Sequence, residues 1–315
     1  MKLLIPLLSV ITGTLPLLQA QGPLAPSGAP APSMKSLGQV EPRIAVQSLA
    51  VAPPYTISQP GSYYLTGNIT VASGNAININ ASDVSLDLMG FTIESTQPTA
   101  GGSAVYGGII SRLKVCNGNL KSGSTVISGT LAAKGFSSGI MGSFLTDCTI
   151  CDMRIAGMAS YGVWCDQNGV VERCSVSDGN VGIINSGNSV GCAMTRNCSV
   201  ANCATAGITG AHVEGSAGYG FASCGISASL ASNSQGASQT GTGMVVTVCA
   251  QNCAGSSGVG TGMDCSGATA TGCNAQTISG AYSLKAKIAI GCVVSTSSGP
   301  SSGGATDITN RYNMP

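Results

Sequence analysis

Apolar positions in this chain fall in short runs that recur about every twenty residues. The clearest unit reads Gly162-Val163-Trp164-Cys165, a turn at Asn168-Gly169, then Val170-Val171-Glu172-Arg173-Cys174-Ser175-Val176. It begins again as Gly182-Ile183-Ile184-Asn185, a turn at Gly187-Asn188, and Ala193-Met194-Thr195-Arg196-Asn197-Cys198-Ser199-Val200. Two β-type runs per unit, separated by Gly/Asn/Ser turns, predict a solenoid, because such a unit cannot bury its apolar face without a neighbour stacked on it.

Taken in order, the pattern divides the chain into four parts. Residues 1–20 read as a signal peptide: Met1-Lys2 supplies the positive start, Leu3 to Leu18 the apolar run, and Leu18-Gln19-Ala20 the cleavage site. This predicts export to the medium, cell envelope or periplasm, and a mature chain with no transmembrane segment. Residues 21–54 are a Pro/Ala-rich linker with a short ordered piece around Arg43 to Val51. Coils fill 55–299, and 300–315 form a tail that, with the Tyr-rich stretch Tyr55 to Leu65, is a candidate cover for the open ends. Within the coils, Val84-Ser85-Leu86-Asp87-Leu88 alternates as a half-buried strand does. Later coil starts are expected at Gly207-Ile208, Gly220-Phe221, Gly243-Met244, Gly262-Met263 and Gly280-Ala281, with Ser227 to Thr242 a loose coil or loop. The predicted fold class is all-β, a right-handed single-stranded parallel β-helix of roughly nine to twelve coils.

Composition narrows the function. Only 8% of the 315 residues are charged and 45 are Gly, which suits coils laddered with small polar residues. Net charge is +1 with no basic run, so nucleic acid is excluded as a partner. All fourteen cysteines lie between Cys116 and Cys292. Coils spaced ~4.8 Å apart are compatible with stacked free thiols, with bridges and with a mixture of the two.

The segments from Tyr55-Thr56-Ile57-Ser58-Gln59-Pro60-Gly61 to Leu65, and from Ile77-Asn78-Ile79-Asn80 through Val84-Ser85-Leu86-Asp87-Leu88-Met89-Gly90 to Ile93, resemble exported right-handed parallel β-helix repeat proteins of the pectate-lyase-like superfamily. The resemblance covers about residues 55–299 and implies the fold. Its members include polysaccharide lyases, glycoside hydrolases, epimerases and adhesins, so it implies no single activity. A polysaccharide or a cell-envelope component is the partner it suggests.

Catalytic signatures are sparse. There is no Asp-Asp pair and no Gly-His-Gly, and Arg112-Leu113-Lys114 precedes most carboxylates, which departs from the polygalacturonase pattern. Aligning coils on cysteine stacks Asp147, Glu172, Arg173, Arg196 and Glu214 on one face, with Asp152 and Arg154 nearby. As a site, this mixture suits an acidic oligosaccharide; as structure, it is a ladder of alternating charge on a solvated face. Trp164 and Asp166 are candidates for carbohydrate stacking, and His212 beside Glu214 is a surface histidine near a turn. Cys148-x-x-Cys151 has no second pair and one His in the whole chain, so no metal or cofactor is expected; Ca2+ enters only under the lyase alternative. The function expected is a non-catalytic exported scaffold, adhesive or carbohydrate-contacting, with a lyase or hydrolase of acidic polysaccharide as the alternative.

Overall fold

A computed structural model gives the architecture. It describes residues 42–142, 146–165, 168–185, 193–280, 282–296 and 307–312. The signal-peptide segment lies outside these residues, as does nearly all of the linker.

The chain is a parallel β-solenoid of about eleven turns. Each coil contributes one strand to each of three parallel sheets, here A, B and C in chain order. In sheet A the inward residues stack in register as Tyr55, Ile77, Val105, Ile140, Val163, Ile183, Ile208, Ile226, Met244, Met263 and Leu284, and these define coils 1 to 11. None is more than 7% exposed. The periodicity arises because side chains alternate along a strand while backbone groups pair with the coils above and below.

The Gly that precedes the inward aliphatic residue in each clear repeat is a packing requirement. A Cβ at Gly162 would overlap Val176 and one at Gly182 would overlap Val200, both on sheet C. Further along, a Cβ at Gly207, Gly225, Gly243 or Gly262 would overlap backbone atoms instead. Sheets A and C thus approach until sheet A has no room for side chains at this column.

From coil 3 onward, the turns from sheet B to sheet C use one left-handed residue each: Asn117, Asp152, Arg173, Asn197, Gly215, Asn233, Asn252, Gly272 and Gly291, with φ between 49° and 61°. Asn, Asp and Gly tolerate this region; Arg173 is the exception. The next residue points inward as Cys174, Cys198, Ser216, Ser234, Cys253, Cys273 and Cys292. Each thiol or hydroxyl donates to the carbonyl two residues earlier, for example Cys174 to Glu172 O at 3.3 Å and Ser216 to Glu214 O at 2.9 Å. Several also reach the preceding coil, as Cys198 does to Val171 O at 3.5 Å and Cys292 to Ala270 O at 3.3 Å. From coil 5 onward Cys and Ser substitute for one another here because the position takes a small buried donor. Thirteen cysteines are described, and all are free thiols.

Three features depart from the sequence pattern; the simplest is that the last coil starts at Ser283-Leu284 and not at Gly280-Ala281. Gly220 ends a sheet C strand, and the next coil starts at Gly225-Ile226; Ser227 to Thr242 is a regular part of coil 8. The cover of the first coil is also different. Tyr55–Ile57 and Gly61–Tyr64 are the first rungs of sheets A and B, while Ile44–Ala45 pairs onto Tyr63 and Tyr64 and leads into a 3-10 turn at Val46–Ser48. Arg43 fixes this cover, 3.3 Å from Asp87 Oδ2 and 4.9 Å from the Tyr64 ring centroid. At the other end, the backbone of Asp307–Tyr312 continues sheets A and B beyond Leu284–Ile290.

Among the described residues, one excursion leaves the stack. Thr125–Ile127 and Thr130–Ala132 form a hairpin between coils 3 and 4, closed by Ser128 and Gly129, both at positive φ as a two-residue hairpin turn requires. It lies along the corner between sheets C and A: Asn202 of coil 6 donates to Val126 O at 3.1 Å, and Gly129 packs beneath the Phe221 ring of coil 7.

Candidate functional site

The outward column at the end of sheet B gathers most of the charged candidates. In register it runs Asp87, Cys116, Cys151, Glu172, Arg196, Glu214. The predicted stacking of Glu172, Arg196 and Glu214 is present. Arg196 binds Glu172 Oε2 through Nε at 2.8 Å and Nη2 at 2.7 Å. Arg173 reaches Glu172 Oε1 at 3.0 Å and grips Asp152 with a two-pronged pair at 2.7 and 2.9 Å.

Asp147 does not belong to this group. It occupies the turn from sheet A to sheet B, at the left-handed position shared by Asp83, Arg112 and Asn168. Arg112 there is held by Asp83 at 2.5 and 2.7 Å. Cys148 therefore aligns with the A–B turn and Cys151 with Glu172, so alignment on the first of these two cysteines shifts Asp147 by a whole strand. Asp166 lies outside the described residues.

The column is poorly suited to acid–base work. Burial pushes the Glu172 carboxyl up, but hydrogen bonds from Arg196 and Arg173 outweigh it and leave the group below the usual glutamate range. Asp152 is likewise lowered, chiefly by its hydrogen bond from Arg173. A general acid needs the opposite shift. The two arginines spend their donors on these carboxylates, so neither is poised as a lyase base. Among the described residues, no group of three His, Cys, Asp or Glu side chains could hold a metal ion.

Sheet A presents a different surface. Its outward column reads Thr56, Asn78, Tyr106, Met141, Trp164, Ile184, Thr209, Ser227, Val245, and only then Asp264 and Lys285. Tyr161 lies beside Trp164, ring centroids 5.0 Å apart and planes tilted by 52°. Tyr161, Ile184 and Val245 pack over Val181, Ala206 and Cys224, which makes a small second apolar layer outside the solenoid. The Tyr106–Met141–Trp164–Ile184 run is partly exposed and uncharged. Sequence inspection singled out Trp164 alone. Its companions were legible by one rule: Tyr106, Met141, Trp164 and Ile184 each follow the inward aliphatic residue of their coil.

No protein-family profile and no curated protein matches the chain. Solved structures similar to it include the A-module of the Azotobacter vinelandii mannuronan C-5 epimerase AlgE4, at 12% identity and TM-score 0.35 over 75% of this chain and 72% of that one. Another is a tailspike protein of E. coli bacteriophage HK620 in complex with pentasaccharide, at 11% identity and TM-score 0.41 over 86% and 67%. Among the described residues, no helix is long and apolar enough to cross a membrane.

Proposed function

We propose that this chain is an exported, non-catalytic β-solenoid that binds carbohydrate on the outer face of sheet A, around Tyr161 and Trp164. The observation that carries this reading is the uncharged, half-buried strip Tyr106–Met141–Trp164–Ile184, in register on the outer face of sheet A with the Tyr161 ring beside Trp164. An exposed apolar strip rimmed by polar residues marks a binding surface, and aromatic rings supply large contact area to the faces of sugar rings. Successive coils repeat every ~4.8 Å, so the strip offers evenly spaced contacts to an extended chain lying along the solenoid. Because coils 1 to 9 contribute no charged residue to this column, the ligand class is a neutral glycan. The paired charges on sheet B act as a stabilising ladder in this reading. Export rests on the apolar run from Leu3 to Leu18.

The test is a panel of immobilised neutral and acidic oligosaccharides, read for retention, unsaturated products and reducing ends, with and without calcium. Retention of a neutral glycan without product is expected, weakened at least ~10-fold by Trp164→Ala at an unchanged unfolding midpoint. Turnover of any glycan would replace the scaffold reading with the lyase or hydrolase alternative. Retention indifferent to Trp164→Ala would remove sheet A as the binding face.

A further inference from the structure

The thiols of this solenoid fall into two kinds. Most point inward: Cys148, Cys165, Cys174, Cys198, Cys203, Cys253, Cys265, Cys273 and Cys292 all belong to the continuous apolar core. The stacked ones among them, Cys174 with Cys198 and Cys253 with Cys273 and Cys292, donate to backbone carbonyls and are at most 3% exposed. Cys116 and Cys151 are different. They sit in register on neighbouring strands of sheet B, each following an inward residue, Val115 or Ile150, that is fully buried. Alternation along the strand points both thiols out, and neither belongs to the core cluster. Their 7% and 5% exposure comes from a place in the charged column between Asp87 and Glu172.

We infer that Cys116 and Cys151 form an outward-facing dithiol at which oxidation closes a disulfide across coils 3 and 4. In-register residues on adjacent parallel strands have Cα atoms about 4.8 Å apart, inside the range a disulfide spans. Among the described residues, no other outward cysteine has a cysteine as its in-register neighbour: Cys224 stacks between Ala206 and Thr242, and Cys249 between Leu230 and Thr269. The chemistry balances with a disulfide oxidant of the glutathione class. The two thiols lose two protons and two electrons as one S–S bond forms, and the oxidant's own S–S bond is reduced to two thiols. Burial raises the Cys151 thiol to about 11, so the pair waits as the dithiol until an oxidant reaches it.

The bridge would have a definite mechanical effect. Between Cys116 and Cys151 the chain makes the hairpin at residues 125–132, which crosses forward to Asn202 and Phe221. Linking the two cysteines closes that loop at its base and adds a covalent tie between coils 3 and 4, which pair in register on either side of the hairpin.

The whole chain would be incubated with oxidised glutathione under native conditions and mapped by non-reducing peptide mass analysis. The first bridge is expected at Cys116–Cys151, with a loss of two hydrogens and a rise in unfolding midpoint of roughly 5–10 °C. Dithiothreitol should reverse both changes in the same sample, and Cys116→Ser should prevent them while Cys174→Ser leaves them intact. Reversal in the unmutated chain keeps the test independent of how well a variant folds. A first bridge at Cys174–Cys198 or Cys253–Cys273 would overturn the proposal. So would a folded chain in which Cys116 and Cys151 remain thiols, or carry separate glutathione adducts, while the oxidant is consumed.

Discussion

Coils 1 to 6 and coils 7 to 10 share one topology but fill their centres differently. The inward column of sheet C reads Ile69, Ile93, Leu120, Ile155, Val176 and Val200 in the first group, then Gly218, Gly236, Gly255 and Ala275 in the second. Sheet B changes in parallel, from Leu86, Val115 and Ile150 to Ala231, Ala250 and Ala270. Coil length follows. Twenty-two residues separate Tyr55 from Ile77 and twenty-three Ile140 from Val163, but eighteen separate Ile208 from Ile226 and Ile226 from Met244. In the first half, sheets are held apart and joined by aliphatic side chains, and stability comes from apolar area removed from water. The second half lets backbone pack on backbone, with smaller area per coil but fewer side chains to order. The number of residues needed to go round the solenoid is thus set by the side-chain size in its centre.

That contrast can be broken from either side. The largest effect is expected from Gly236→Val, whose Cβ would overlap the Gly243 carbonyl oxygen. Backbone cannot yield as a side chain can, so a loss above ~4 kcal/mol in urea unfolding is expected, with hydrogen exchange raised in coils 7 to 10 first. A variant of native stability would show that the sheets of the narrow half are not in contact. Next comes Ile155→Ala in the wide half. Ile155 is 2% exposed, and its truncation should cost about 2–5 kcal/mol by the same measurement. A cost under ~1 kcal/mol would mean the wide core can collapse toward the narrow geometry. The smallest effect belongs to the charge ladder that both halves flank. Glu172→Gln should cost about 0–1 kcal/mol at neutral pH. Since the folded carboxyl lies below its ordinary value, its contribution is full above the ordinary glutamate range and is lost as pH falls through the lowered one. The variant should therefore show a weaker loss of stability in acid, checked by melting curves at descending pH.

The wide half was more legible in the sequence than the narrow one, for a physical reason. Gly162-Val163 and Gly182-Ile183 announce coils because a glycine and a large aliphatic residue sit side by side, and the aliphatic partners on sheet C repeat the signal. In coils 7 to 9 those partners are glycines, so Ser227 to Thr242 looks like a loop and Gly220-Phe221 resembles a start. Cysteine misleads in the same way. Cys148 in a turn, Cys151 facing out and Cys174 facing in are one residue type in three environments, since a small, weakly polar side chain suits each. Register, which alone distinguishes them, is not a local property of the chain. The Ser128-Gly129 hairpin docks on Asn202 and Phe221, a contact between segments more than seventy residues apart that no local pattern reports.

The Gly-lined centre of coils 7 to 10 bears on how such a chain can lengthen. Where each coil offers nearly the same slim profile above and below, a copied coil meets neighbours shaped like those it left. Duplication or loss of an eighteen-residue unit such as that from Ile226 to Gly243 keeps the inward column of sheet A in step. The wide half has no such freedom, because Leu120, Ile155 and Val176 are each fitted to a particular neighbour. New length is thus expected to enter this lineage through its narrow half, while the half that carries Trp164 stays fixed in size.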